Sequence, residues 1–101
     1  MPTLLIEHPI TDFPTWHGAF SRFAERRRDG GVIAERVLQP VDDPHYVFVD
    51  LEFATVDQAR AFRLFLESQV WSVPSRSPAL AGSPRARILD TAPVGGASDN
   101  C

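Results

Sequence analysis

His8 is the residue of this chain best placed to do chemistry. It follows Leu4 and Ile6 at period two, so on a strand it shares their face, the face that packs beneath helices. An imidazole held there, close to Trp16 and Phe20, can serve as a general base or orient a polar group of a ligand, because its pKa is easily tuned. The alternative is a strand-end histidine satisfied by backbone and without chemical work. His17 flanks the same aromatic stripe and either lines the cavity or lies on the helix surface. His45 follows Asp43-Pro44 in a turn and is expected in solvent. The three histidines lie far apart and lack metal-ligand spacing, so no metal site is expected. Glu7 and Asp50 share the other sheet face; they are either an acid/base pair or, for Asp50, a partner for Arg36.

The remaining candidates are aromatic. Trp16, Phe20, Phe62, Phe65 and Trp71, with His17, are the expected ligand-contacting set; Phe13 and Phe23 complete a mostly core cluster. Helical spacing of aromatics signals burial first. Two indoles are nevertheless bulky for so small a core, and their N–H groups need hydrogen-bond partners. A pocket that they line suits a flat, hydrophobic molecule. The chain has no glycine-rich phosphate loop, no serine-nucleophile motif and no flavin or nicotinamide fingerprint, so no cofactor is expected.

These residues must be positioned by few elements. Thr3 to Pro9 reads as a strand that ends where proline lacks an amide proton. Asp12 caps a helix with Pro14 in its first turn; Phe13, Trp16, Phe20 and Phe23 form its stripe, Glu25 to Asp29 its last turn and Gly30-Gly31 its stop. Val32 to Val41 is a second strand, apolar at both parities, ending at Asp42-Asp43-Pro44. His45 to Ala54 is a third, with Val47, Val49, Leu51 and Phe53 on one face and Tyr46, Phe48, Asp50 and Glu52 on the other. Thr55 and Gln58 make a capping box for a second helix with Ala59, Phe62, Phe65 and Leu66 inward, and Trp71 at or past its end. Residues 72–84 are a long Ser/Pro/Ala/Gly loop, and Arg85 to Thr91 a last strand. The order predicts one α+β domain over residues 1–92, a ferredoxin-like βαββαβ sandwich. Residues 93–101 are expected to be a disordered tail.

Composition narrows the function. Ten Lys+Arg against 13 Asp+Glu give a net charge of −3, and every cation is arginine. The only basic cluster, Arg22 with Arg26-Arg27-Arg28, falls at a helix end, where it offsets the dipole rather than forming a nucleic-acid face. No run is long enough to cross a membrane, and the first residues lack a signal peptide's basic region, so a cytoplasmic location is expected. The single cysteine, Cys101, allows no intrachain disulfide.

Two helices on one side of a four-stranded sheet leave its other side bare. A solvated face would be polar, yet this one carries Tyr46 and Phe48 beside Asp50. The expected cover is a second copy of the sheet, with Tyr46, Phe48 and Asp50 at the interface. The runs Glu7-His8-Pro9-Ile10-Thr11-Asp12-Phe13, Trp16, Phe20 and Val41-Asp42-Asp43-Pro44 resemble small members of the dimeric α/β-barrel superfamily. That superfamily includes antibiotic-biosynthesis-monooxygenase-like and stress-responsive barrel proteins. The resemblance implies a homodimer with a pocket between each sheet and its own helices. Its activities range over cofactor-independent oxygenation, haem degradation, isomerisation and cyclisation. Asparagine occurs here only as Asn100, which counts against the haem-degrading branch. The resulting expectation is a homodimer that binds a small hydrophobic or aromatic molecule. The alternatives are a cofactor-independent monooxygenase, isomerase or cyclase with His8 as its catalytic residue, and a structural domain without ligand.

Overall fold

Alternating side chains define the sheet. A computed structural model of the chain describes residues 1–92; the expectation for residues 93–101 lies outside them. Four antiparallel strands, β1 (Thr3–Pro9), β2 (Val32–Leu38), β3 (Tyr46–Phe53) and β4 (Arg85–Leu89), lie in the order β2-β3-β1-β4. This is the α+β, ferredoxin-like arrangement that the sequence predicts. In β3 every second residue is buried, from Val47 to Phe53. Its register pairs Leu4 with Leu51, Ile6 with Val49 and His8 with Val47, which puts His8 on the buried face.

The helices pack on that face. α1 (Phe13–Arg22) opens with the Asp12 carboxylate accepting the Thr15 amide at 2.8 Å, and α3 (Val56–Phe65) opens with Thr55 accepting the Gln58 amide at 3.1 Å. Both caps satisfy amides that a helix leaves without partners. Gly31 takes φ +99°, the left-handed conformation that glycine adopts freely, and turns the chain into β2. Leu4, Ile6, Val47, Val49, Leu51 and Phe53 meet Trp16, Ala59 and Phe62 in one core.

Five elements differ from expectation. The first helix is not continuous: it breaks at Phe23, whose amide donates to Phe20 and Ser21, and resumes as α2 (Ala24–Asp29). The break turns Arg27 inward, as described below. β2 stops at Leu38 rather than Val41, because Gln39 donates its amide to the Pro44 and Tyr46 carbonyls and folds the turn back. β3 starts at Tyr46 and ends at Phe53, and β4 stops at Leu89. α3 passes into a π-helical turn, Leu66–Val70, closed by the Trp71 amide donating to the Leu66 carbonyl at 2.7 Å.

Candidate functional site

Between sheet and helices lies a cavity of about 80 Å³. Its floor is Ile6, Val49 and Leu51, and its far end is His8. Trp16, Ala19, Phe20 and Phe23 come from α1 and its end, Arg27 from α2, and Phe62 from α3. Leu66, Val70 and Trp71 of the π-helical turn close one side; Arg76, Ser77, Ala79 and Leu80 of the long loop close another. Insertions of this kind occur often at functional sites. Here two serines bond back along the chain, Ser68 within the turn to the Leu64 carbonyl and Ser72 just beyond it to the Ser68 carbonyl, each at 2.7 Å. The loop is fixed over the cavity by the Thr11 amide donating to Ala79 and the Ala81 amide donating to Pro9.

His8 is 3% exposed. Its Nδ1 lies 3.0 Å from the Pro9 carbonyl, and since a carbonyl only accepts, Nδ1 carries the proton. Nε2 therefore keeps its lone pair, and it has no hydrogen-bond partner among the described residues. Burial pushes the imidazole pKa down, partly offset by the bond to Pro9. The ring is thus neutral at ordinary pH, an acceptor and a weak base. Trp16 packs tilted against it, ring centres 6.3 Å apart, and Phe20 stacks on Trp16 at 4.8 Å. Trp16 is 8% exposed, and its indole N–H also finds no protein partner among the described residues. Two residues that line one cavity thus each keep a polar group without a protein partner, which suits water or a ligand.

The lowered His8 pKa gives a pH test. The unfolded chain takes up a proton near the ordinary value of 6.5 and the folded chain only below it. Between the two, the unfolded state binds more protons, so this contribution to stability is present above 6.5 and lost as pH falls. The melting temperature is expected to fall below that pH, and His8→Phe to flatten the fall there. Asp12, whose pKa its bond from the Thr15 amide lowers, acts in a separate window below 3.8. An undiminished fall in the His8→Phe protein would remove His8 as its cause.

Of the expected ligand-contacting residues, Trp16, Phe20, Phe62 and Trp71 come together with His8 at the cavity. His17 does not: it is exposed and stacks on Phe13, centres 5.5 Å apart, one helical step outside the stripe. Phe65 also stays outside, packed edge-on against Phe23 and under the Arg26 guanidinium. His45 is exposed and donates from Nδ1 to the Thr11 carbonyl. Tyr46, Phe48 and Asp50 lie on the opposite face of the sheet; Tyr46 donates to Glu7 at 2.8 Å, and Asp50 pairs with Arg36 at 2.9 Å. The tie to Glu7 holds the Tyr46 pKa up. Glu7 and Asp50 thus have separate partners. No group of three or more metal-ligating side chains occurs among the described residues.

Arg27 is the residue that sequence reasoning missed. It is 5% exposed and borders the cavity. Nε and Nη2 donate to Glu35 at 2.7 and 3.3 Å, Nη1 donates to the Phe20 carbonyl at 2.6 Å, and the guanidinium lies 3.6 Å over the Phe20 ring. The nearest signal was Glu35, which stands opposite Leu51 in register and so lies on the helix-facing side of β2.

No family model and no curated protein matches the chain. Solved structures do. An antibiotic biosynthesis monooxygenase superposes with a TM-score of 0.66 at 12% identity, over 92% of this chain and 100% of its own. SnoaB, a cofactor-independent oxygenase from Streptomyces nogalater, gives 0.66 at 17% identity over 90% and 92%. An uncharacterized NIPSNAP domain protein from Burkholderia xenovorans gives 0.62 at 14% over 94% and 98%. The chain has the fold of antibiotic-biosynthesis-monooxygenase-like proteins. Among its described residues no helix is long and apolar enough to cross a membrane.

Proposed function

We propose that this protein binds a small planar aromatic molecule bearing a hydroxyl group, and that it works as a homodimer joined through the bare sheet face. The observation that carries the reading is His8: a buried, neutral imidazole with Nδ1 committed to Pro9 and Nε2 open, on a cavity otherwise lined by aromatic and aliphatic side chains. The ligand hydroxyl donates to Nε2 while its ring lies along Trp16 and Phe20. A cavity that holds benzene measures about 150 Å³, so entry of the ring needs a wall to give. Trp71, half-buried between the π-helical turn and the long loop, is that wall.

Titration with phenol and 2-naphthol should quench the fluorescence of Trp16 and Trp71 saturably, whereas methyl ethers of the same rings bind more weakly. His8→Phe keeps the ring volume and removes the acceptor; the Pro9 carbonyl still receives the Ala81 amide at 3.2 Å. The variant should fold as well and bind phenols about threefold to tenfold less tightly, the worth of one neutral hydrogen bond. Equal affinity for phenols and their ethers, in both proteins, would defeat the reading.

A second reading makes the same site an oxygenase. The open Nε2 lone pair favours it: it can take the hydroxyl proton, the phenolate can add dioxygen at a ring carbon, and return of the proton to the peroxide releases water and leaves the quinone. The likeness to SnoaB supports the same direction. Oxygen uptake with phenols that His8→Phe abolishes would raise the protein from binder to enzyme; binding without uptake keeps the first reading.

A further inference from the structure

The charged side chains bordering the cavity are both cations, Arg27 and Arg76. Arg76 is exposed and tied to Gln69, but Arg27 is sealed in. A buried ion pair is poor value as a stabiliser, since apolar residues of similar volume often serve as well. Its placement on the cavity therefore asks for a reason beyond packing.

We infer that the cavity's ligand carries a carboxylate, and that Arg27 receives it in place of Glu35. The inference rests on the reading of the cavity as a phenol site. The two halves of the Arg27–Glu35 pair differ sharply: the arginine side chain is 6% exposed and the glutamate 41%. Arg27 is fixed independently of Glu35, by the Phe20 carbonyl at 2.6 Å and by the Phe20 ring at 3.6 Å. Glu35 sits on β2, an edge strand whose pairing is irregular between Val32 and Ala34. A half-exposed carboxylate rehydrates as it turns away, and the guanidinium stays in place because the incoming carboxylate takes over the compensation of its charge. Arginine has five N–H bonds in a planar fork, of which three are engaged here. That fork matches a carboxylate through two parallel N–H···O bonds.

The opposite end of the cavity completes the ligand. Ring contacts run from His8 to Trp16 at 6.3 Å, from Trp16 to Phe20 at 4.8 Å and from Phe20 to the Arg27 guanidinium at 3.6 Å. An acceptor lies at one end of this row and a cation at the other, with aromatic faces between. A planar aromatic acid with a hydroxyl far from its carboxylate satisfies both ends.

The test compares 4-hydroxybenzoate with its neutral isostere 4-hydroxybenzamide by tryptophan fluorescence and calorimetry. The acid should bind about tenfold more tightly, the worth of a charge-assisted pair. Glu35→Gln keeps an oxygen toward Arg27 and removes the competing charge; it should tighten the acid a further severalfold and leave the amide unchanged. Arg27→Met, if it folds, should bring acid and amide to equal affinity. Equal affinities in the native protein, or weakening of the acid by Glu35→Gln, would overturn the inference while the phenol site stands. Failure of both compounds to bind would overturn the phenol site with it.

Discussion

Light scattering at micromolar concentration should give about twice the 11.2 kDa chain mass, and Phe48→Asp should return the mass to that of one chain. The face involved is the one the helices leave bare. Tyr46 and Phe48 pack there with ring centres 5.4 Å apart, while Leu38 and Leu89 at the sheet edges are 43% and 42% exposed. Some of its polar groups are paired within the chain: Glu7 takes the Tyr46 hydroxyl and Asp50 takes Arg36, whereas Glu52, Arg85 and Arg87 on the same face make no ion pair among the described residues. A second copy related by a two-fold brings one acidic and two basic side chains from each chain to the seam, where they can pair across it, as burial in an interface requires. An aspartate at position 48 would stand opposite Glu7 in the register and on the same face as Asp50, and the two-fold would double every carboxylate. Phe48 contributes nothing to the core beneath the helices, so the variant should keep native circular dichroism as a monomer. A native protein that stays at one chain mass at high concentration would remove the dimer altogether.

The strands and caps were legible because each follows a local rule. Period-two alternation in β3 and the spacing of Thr55 and Gln58 need nothing but the chain's own neighbours. β2 was ambiguous for a physical reason. An irregularity between Val32 and Ala34 sets Val32 opposite Phe53 and Ala34 opposite Glu52, so residues two apart change faces. Apolar residues at both parities are the trace of that bulge. Trp16, Phe20, Phe62 and His8 were found by periodicity and Trp71 by its bulk, and they line one cavity. His17 and Phe65 were not separable from them, since one step around a helix decides between cavity and outside. Arg27 was hidden more deeply. In a run of three arginines at a helix end each looks like the others, and only the break at Phe23 decides which turns inward. The π-helical turn left no periodic signal at all, because five residues cannot show a period.

The largest stability effects are expected at the Arg27–Glu35 pair, and they should be strongly non-additive. Removing one partner of a buried pair costs roughly 3–5 kcal/mol, because the other charge is left without compensation. Glu35→Leu should reach that range: Arg27 is 5% exposed and cannot recover water where it sits. Arg27→Leu should cost less, roughly 2–3 kcal/mol on the same scale, since the Glu35 side chain is 41% exposed and rehydrates. For a domain of this size each kcal/mol lowers the melting temperature by about 4–8 °C, so the two single variants should differ visibly in a thermal melt. The double variant leaves neither charge behind and adds apolar volume against Phe20 and the cavity wall. It should be more stable than Glu35→Leu alone, giving a coupling of at least about 2 kcal/mol in the double-mutant cycle. Additive losses would mean that the pair is solvated in solution. In that case Arg27 would not be the fixed, sealed cation on which its exchange of Glu35 for a ligand carboxylate depends.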